Sequence, residues 1–428
     1  MIFRPGKSLA ALLQGAVFLM LAAASPPAAA ETEWSFGGHS KFQFIYLDIP
    51  DNSLFRPVLG SGATDNYLET RLNLDAQRQG WKFELDYQFI AAHAETLRLA
   101  GFFPDSALPV NSVINDDRRW WNLTWSSWNG GQTALVHRLD RLNVSYSTDH
   151  TVWRFGRQAI SWGNGMIFTP MDIFNPFDPA AVDKEYKTGD DMLYGQYLLN
   201  NGNDVQGVAV VRRNPRSGEV ESDQSSFAVK FHGFLGLNEF DLLAAQHFSD
   251  QVLGAGGIIS IGGAIWRGDL TWSRTDRDKT LSAATSLGYS WNWGGRNISG
   301  LVEYYYSGFG QKDGAYSPAD LLGNPDLLKR LERGELFTLA RHYIAASATI
   351  EMTPLLLLTP NVFINLDDPS ALAQLVVQYN WKQNLVVLGS LNIPIGPDGS
   401  EYGGTATPYD DIYFSTGPGV FTQLAWYF

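Results

Sequence analysis

Residues 81–89 read WKFELDYQF, and in this stretch apolar and polar side chains alternate at every second position. Successive side chains of a β-strand point to opposite faces, so the stretch predicts a strand with one apolar and one charged face. The same period of two returns in residues 68–76 and 281–293. Strands of soluble sheets have about five or six residues, whereas these segments are longer. Their length and polarity are typical of a membrane barrel, with lipid outside and water in the lumen.

The aromatic residues favour the barrel over a soluble sandwich or solenoid. The chain of 428 residues contains 14 Trp, 18 Tyr and 25 Phe. Several of them, including Trp34, Trp81, Trp291 and Trp293, lie near predicted strand ends, where a bilayer offers its headgroup region. A soluble surface rarely exposes so many large aromatic rings. After residue 30 no run of 18 apolar residues occurs, which excludes a helical membrane protein.

The first 30 residues are predicted to be a secretory signal peptide. Arg4 and Lys7 precede an apolar stretch at 9–24, and small residues at 28–30 offer a cleavage site. Residues 31–428 would then form the exported barrel. The chain has a net charge of −13 and no cysteine, which argues against a nucleic-acid partner and excludes disulfides and thiolate chemistry.

The linkers between the predicted strands alternate between short and long. Short ones such as 79–80 and 236–237 are followed by long ones such as 95–133, 163–190 and 309–339. A barrel with short periplasmic turns and long extracellular loops has this order. The sequence therefore predicts an all-β, antiparallel transmembrane barrel of about 18 strands, with about 16 as the alternative if one hairpin is miscounted.

The C-terminal residues 420–428 read VFTQLAWYF, and Trp426 and Phe428 fall on the same face as Leu424. This segment resembles the closing strand of Gram-negative outer membrane barrels. The resemblance implies a bacterial outer membrane location, in contact with lipid and lipopolysaccharide. It also implies that Trp426 and Phe428 form the signal that the barrel insertion machinery recognises.

Residues 154–179 form the most specific motif. Gly156-Arg157-Gln158 and Trp162-Gly163 are followed by Pro170, Asp172 and Phe174-Asn175-Pro176. This GRQ…WG…PxDxFNP pattern resembles that of large porin-like outer membrane proteins, and it indicates an architecture rather than a substrate.

In porin-like barrels the loop after the fifth strand often folds inward, so the resemblance implies a constriction by residues 163–190. The predicted fifth strand extends over 151–162. The loop residues expected to face a permeating solute or support the constriction are Asp172, Phe174, Asn175, Asp178, Asp183, Lys184 and Lys187. Arg157 shares the parity of lipid-facing Trp153 and Phe155, and we expect a bulge at Gly156 to turn it into the lumen. The alternative is a loop packed on the rim.

The polar faces of the predicted strands supply the expected pore lining: Lys41, Glu69, Arg71, Asp75, Lys82, Glu84, Asp86, Arg154, Arg212, Lys230, Arg267, Asp269 and Glu303. Both signs are represented, which argues against a filter of one charge. Cross-strand ion pairs, such as Arg71 with Glu84, would brace the same interior.

The sequence contains no recognisable catalytic or nucleotide-binding motif. We therefore expect no enzyme, no cofactor and no metal site. Acidic pairs such as Asp116-Asp117 are interpreted as solvated loop charge, and bridging of lipopolysaccharide through divalent ions stays open. Residues 325–333 predict a short loop helix, capped by Asn324 and ended by Gly334.

The expected function is a porin-like channel for passive or substrate-selective passage of small solutes. Two alternatives remain: a conduit or scaffold for a periplasmic partner or export system, and an outer membrane lipid hydrolase. The hydrolase needs a Ser-His-carboxylate cluster, and a structure without one would exclude it. The sequence does not identify the solute, and oligomer formation is left open.

Overall fold

The computed structural model describes residues 31–101, 115–128 and 131–428. The predicted signal peptide, residues 1–30, lies outside the described residues. The strands are β1 (Glu33–Asp48), β2 (Gly62–Arg78), β3 (Trp81–Ala94), β4 (Thr124–Trp128), β5 (Thr133–Ser147), β6 (Thr151–Gln158), β7 (Asp190–Leu198), β8 (Asp204–Val210), β9 (Ser226–Leu235), β10 (Asn238–His247), β11 (Asp250–Ile261), β12 (Ala264–Arg274), β13 (Lys279–Trp293), β14 (Arg296–Ser307), β15 (His342–Thr353), β16 (Leu356–Asn365), β17 (Ala371–Lys382), β18 (Leu385–Ile395), β19 (Thr405–Ala406), β20 (Tyr413–Phe414) and β21 (Gly419–Tyr427).

Eighteen of these strands form one closed antiparallel barrel, as the sequence predicted. Each pairs with its neighbour along the chain, and β1 pairs with both β2 and the C-terminal β21. Phe42 opposes Leu424 across this closing seam. Each of the eighteen strands is therefore paired on both sides, which a bilayer requires because it offers backbone groups no hydrogen-bond partner.

The alternating sequence pattern becomes an apolar outer face and a polar inner face. Leu68, Leu270 and Leu287 are 44%, 43% and 51% exposed on the outside. Asp86 and Asp269, on the other face of their strands, are 5% and 3% exposed although they are charged. The outer surface is the one that lipid covers, and the inner surface borders the lumen.

Short turns join the strands at one end of the barrel. Between β2 and β3 the turn consists of Gln79 and Gly80, with φ angles of 47° and 83°. Two consecutive residues with positive φ form the tight turn that suits the twist of a hairpin, and glycine adopts this conformation without strain. The long connections lie at the opposite end.

Additional elements occupy the long-loop end. They are the helices α1 (Arg56–Leu59), α2 (Pro318–Leu322) and α3 (Pro325–Arg333), a 3₁₀ turn (Glu95–Gly101) and the β19–β20 hairpin. In α3, the Asn324 side chain accepts a hydrogen bond from the Leu327 amide, and Gly334 ends the helix with φ 67°. In the described part of the chain, no helix is both long and apolar enough to cross a bilayer.

The C-terminal residues lie at the short-turn end of the seam. The rings of Trp426 and Phe428 are 48% and 44% exposed, with centroids 4.9 Å apart. The Phe428 amide donates to the Gly38 carbonyl and the Gly38 amide donates back, so β1 fixes the last residue.

Candidate functional site: a loop across the barrel lumen

The loop of residues 159–189 begins where β6 leaves the barrel wall. The predicted strand 151–162 ends at Gln158, and β7 begins at Asp190. In the wall, β4 takes the place that a longer β6 would occupy: it pairs with β5 at residues 134–138, beyond the part of β5 that pairs with β6. The strands β6 and β7 can therefore be short and be joined by a long loop, because β4 continues the hydrogen bonding of β5 in the wall.

The first part of the loop is attached to the lumenal side of the alternate strands β8, β10, β12 and β14. The indole nitrogen of Trp162 donates to Gln206 Oε1 on β8 at 2.8 Å. The amides of Asn164 and Gly165 donate to Asp269 Oδ2 on β12, at 2.7 and 3.0 Å. The Asn164 side chain also donates to Asp241 on β10.

Glu303 on β14 binds three consecutive amides of the loop. Its carboxylate accepts hydrogen bonds from the amides of Met166, Ile167 and Phe168. Glu303 is 0% exposed and forms no ion pair among the described residues. A buried carboxylate is costly unless hydrogen bonds satisfy it, and the loop backbone supplies them here.

Apolar contacts hold the same part of the loop. The Phe168 ring stacks on Tyr305 of β14, with centroids 4.6 Å apart and planes 8° apart. Trp162, Met171 and Phe174 pack in a cluster with lumenal residues of the wall, namely Met192, Val208, Val210, Ala228 and Leu243. The loop therefore has its own hydrophobic contact with the wall.

The second part of the loop reaches strands on another side of the barrel. The Ala180 carbonyl accepts from the Gln374 side chain on β17 at 2.9 Å. Lys41 on β1 lies 2.7 Å from both Asp183 Oδ2 and Glu185 Oε2. In the closed barrel β1 lies on nearly the opposite side from β12, so a loop held by both strands lies across the lumen.

Tyr186 completes the contact with this side. The Arg71 guanidinium of β2 lies 4.1 Å from the centre of the Tyr186 ring, and the His39 ring centroid is 5.2 Å away. The Tyr427 hydroxyl of the last strand donates to Glu185 at 2.9 Å. A cation over a ring, together with ion pairs, stabilises the loop against β1, β2 and β21.

The loop is also closed on itself by Lys187. Its ammonium lies 2.6 Å from Asp172 and donates to the Ile160 carbonyl at 2.6 Å. Burial raises the pKa of the Asp172 carboxyl to about 6, although Lys187 opposes this shift. Burial lowers the pKa of Lys187, and Asp172 opposes that shift in turn. The pair joins the beginning, middle and end of the loop.

The expectation that Asp172 faces the solute is wrong, because it is buried against Lys187. Phe174 is 2% exposed in the hydrophobic cluster. The other residues expected at the constriction bind the loop backbone: Asn175 donates to the Thr188 carbonyl, Asp178 accepts from the Ala180 amide, and Lys184 donates to the Pro179 carbonyl. These side chains stabilise the shape of the loop.

Arg157 does not reach the lumen through a bulge, and that expectation is wrong. The register of β6 is regular against both β5 and β7, with Arg157 opposite Asp191. Gly156 has φ 127°, and a Cβ there would lie 2.2 Å from the Leu142 carbonyl oxygen. Arg157 keeps the parity of the outward-facing Phe155, yet it is only 1% exposed. It binds Asp116 and Asp191 beneath residues 116–123.

Twelve of the thirteen residues expected to line the pore lie in paired strands on the same face as Asp86 and Asp269, and Arg212 follows the end of β8. Many are paired: Arg212 with Asp190 at 2.6 Å, and Lys230 with Asp241 at 3.2 Å. Arg71 does not pair with Glu84 as expected. Its closest carboxylate is Asp140, at 2.8 Å, while Glu84 accepts a hydrogen bond from Asn143.

Asp140 is a lumenal residue that the sequence did not indicate. The β3–β5 register changes between Asp86 and Tyr87, which oppose Arg141 and Leu139, so Asp140 occupies a β-bulge. It is 2% exposed and contacts Arg71, Arg138 and Arg141. Such a bulge disturbs the alternation on which the sequence prediction depended.

A Ser-His-carboxylate cluster lies at the long-loop end. Ser226 Oγ is 3.1 Å from His247 Nδ1, and His247 Nε2 is 3.2 Å from Glu335 Oε1. Burial alone would raise the pKa of Glu335, but His247, Arg330 and Arg333 outweigh it and hold the pKa at about 2. The presence of this cluster means that the hydrolase alternative is not excluded by the absence of a Ser-His-carboxylate arrangement.

In detail, the cluster is unsuited to acyl transfer. Ser226 Oγ accepts hydrogen bonds from Arg212 and from the Phe248 amide, which occupies the oxygen that would have to attack. A cavity of about 80 Å³ adjoins the cluster, and its lining includes His247 and Glu335 but not Ser226. The cluster links residue 335 of the outer loop to the wall.

Metal binding finds no support among the described residues, because they contain no group of three or more His, Asp or Glu side chains that could hold an ion.

Solved structures with the same fold are outer membrane porins and related barrels. OccK9 (OpdG) of Pseudomonas aeruginosa superposes with a TM-score of 0.55 at 9% identity, over 92% of this chain and 98% of that chain. OccAB4 of Acinetobacter baumannii gives 0.53 at 8% identity, over 94% and 100%. A BenF-like porin from Pseudomonas fluorescens Pf-5 gives 0.52 at 8% identity, over 92% and 98%. At these identities the likeness shows the fold alone. No family profile and no curated protein match the sequence.

Proposed function

We propose that this protein is an outer membrane channel that passes small solutes through a lumen narrowed by residues 159–189. The observation that carries the proposal is the attachment of one loop to Glu303 of β14, to Gln374 of β17 and to Lys41 of β1. A loop that spans these strands reduces the cross-section of a barrel that would otherwise enclose a wide aqueous lumen.

The charge distribution supports passage of small polar solutes rather than of one ion type. Several lumenal Arg and Lys side chains have carboxylate partners, as in Arg71 with Asp140 and Arg212 with Asp190. Paired charges keep the wall hydrated and rigid without creating a strong field of one sign. The porin fold of the neighbours agrees with this proposal.

The outer surface supports the proposed location. Its exposed leucines and aromatic rings suit a bilayer, with lipopolysaccharide and lipid as the surrounding partners. Trp426 and Phe428 would be available to the barrel insertion machinery before β21 closes the seam.

The test is reconstitution of the refolded protein in planar bilayers, together with fractionation of cells that express the full chain. Stepwise conductance and recovery in the outer membrane fraction would support the channel. A protein that is recovered in the outer membrane but stays electrically silent, and that co-purifies with periplasmic proteins, would support the conduit or scaffold instead.

A further inference from the structure

Residues 115–128 fill the gap in the wall that the short strands β6 and β7 leave between β5 and the end of β8. β4 extends the ladder on β5, and the Leu139 amide donates to the Leu123 carbonyl. At the other edge, Arg119 forms a bridge with Arg212, next to the end of β8. The segment thus spans from β5 to β8 in the region from which the lumenal loop departs.

Arg157 is the residue at which this outer segment, both short strands and the loop meet. Its Nε and Nη2 donate to the two oxygens of Asp191 at 2.8 and 3.0 Å. Its Nη1 donates to both oxygens of Asp116 at 3.0 Å, and Nη2 also donates to the Trp121 carbonyl at 2.7 Å. Only a planar guanidinium can bind two carboxylates in this way.

The partners of Arg157 extend the network to the end of the loop. Asp116 also binds Arg119 at 2.6 Å, and Arg119 donates to the carbonyl of Gly189, the last loop residue, at 3.0 Å. Asp191 accepts from the Trp121 amide at 2.7 Å. Burial alone would raise the pKa of Asp116, but Arg157 and Arg119 hold it below its usual value.

The Arg157 network lies on the outer side of the wall, whereas side chains that affect permeation usually face the lumen. Arg157 has the parity of Phe155, whose ring is 43% exposed on the outer face and lies 5.5 Å from the Trp121 ring. Trp120 and Trp121 cover this side, so the guanidinium is screened from lipid. The loop begins directly after Gln158 and ends directly before Asp190. Arg157 and Asp191 are therefore each one residue further into the wall than the strand ends that flank the loop.

We propose that Arg157 is a positioning residue that sets the width of the pore from the outer side of the barrel wall. It fixes the strand ends from which residues 159–189 emerge and joins them to the segment 115–123. The loop attachments to Glu303 and Lys41 hold its distant parts, while Arg157 fixes the direction in which both ends enter the lumen. This inference rests on the proposed channel function.

The experiment compares Arg157→Gln with Arg157→Lys and with the matched control Arg118→Gln, in the full chain. Arg118 lies in the same segment and is ion-paired to Glu332, but it does not contact the base of the loop. Single-channel conductance, current noise and the exclusion size for polyethylene glycols are measured. Only folded and inserted barrels contribute to these readouts, so a loss of folding yield does not imitate the effect.

Arg157→Gln is expected to give roughly two-fold larger conductance, more noise and a larger exclusion size, because both ends of the loop lose their fixed direction and can shift toward the wall. Arg157→Lys retains the charge but loses the two-carboxylate geometry, so an intermediate value is expected. Arg118→Gln should match the wild type. If Arg157→Gln does not fold, Asp191→Asn is used instead. It weakens the paired hydrogen bonds between Arg157 and Asp191 and should also increase conductance, noise and exclusion size.

Wild-type conductance and exclusion size in the Arg157 variants or in Asp191→Asn would overturn the inference and leave the channel intact. A wild type that forms no pore, even after the loop is deleted, would instead overturn the proposed function. The two failures are therefore distinguishable.

Discussion

The Met166 amide of the lumenal loop donates a hydrogen bond to Glu303 Oε2 of β14 at 3.0 Å, although 137 residues separate the two in the chain. The same carboxylate accepts from the two following amides, Ile167 and Phe168. A single wall residue therefore holds three consecutive loop amides against the lumenal face of β14.

Replacing Glu303 by Gln should loosen this part of the loop. The amide group brings a donor toward backbone donors, so at least one buried N–H loses its partner, at a cost of about 1 to 3 kcal/mol. We expect larger and noisier single-channel currents. Glu351→Gln is the matched control, because Glu351 is exposed near the short-turn end and accepts a hydrogen bond from the Asn297 side chain, far from the loop. Wild-type currents in Glu303→Gln would contradict this role.

Leu270→Arg tests the assignment of the outer face. Leu270 lies outward in the middle of β12, where an arginine would have to enter hydrocarbon. A destabilisation of about 2 to 4 kcal/mol is expected in lipid vesicles, measured by denaturant unfolding. Leu237→Arg, in a short turn and 92% exposed, should change stability little. Equal effects at the two positions would argue against a lipid-facing β12.

Glu401 predicts a pH dependence of the long-loop end. Its carboxylate accepts from the Leu339 amide at 2.8 Å and the Asn365 side chain at 2.7 Å. Burial raises the pKa of Glu401 from 4.5 to about 7. The folded protein therefore binds this proton more tightly than the unfolded chain. The stability it contributes is fully present below pH 4.5 and is lost as the pH rises to about 7.

Glu401→Gln should remove this dependence. The unfolding temperature of the variant in detergent is expected to increase relative to that of the wild type as the pH increases from 4.5 to about 7. Glu351→Gln should follow the wild type over the same interval. A constant difference between Glu401→Gln and the wild type across the pH range would show that the carboxyl does not titrate there.

Ser226→Ala tests the hydrolase alternative. Because Arg212 and the Phe248 amide occupy Ser226 Oγ, we expect no hydrolysis of nitrophenyl or phospholipid esters by the wild type above background. The variant should give the same low rate. A wild-type activity that disappears in Ser226→Ala would contradict the structural role assigned to the cluster.

The barrel could be predicted from the sequence because the alternation of a strand is a local signal. Residues 81–89 show both faces of β3 within nine letters, and the turn at Gln79-Gly80 marks its beginning. The tight turns and the C-terminal strand then fix strand order, since consecutive strands pair with each other.

The loop attachments could not be predicted in the same way. A backbone amide has no sequence signature, so nothing connects Met166 with Glu303 before the chain is folded. The bulge at Asp140 interrupts the alternation of inward and outward side chains in β5. Arg157 is in an outward position of β6, and its charge is tolerated there because residues 116–123 cover it and Asp116 binds it. Both depend on segments distant in the chain.

The most direct test of the lumenal loop is single-channel conductance of the wild type beside a variant in which a deletion within residues 166–188 is closed by a short glycine-serine linker. The loop contacts with Glu303, Gln374 and Lys41 predict a stable wild-type pore and a clearly larger conductance in the deletion variant. Equal conductance in the two proteins would contradict a constriction by this loop.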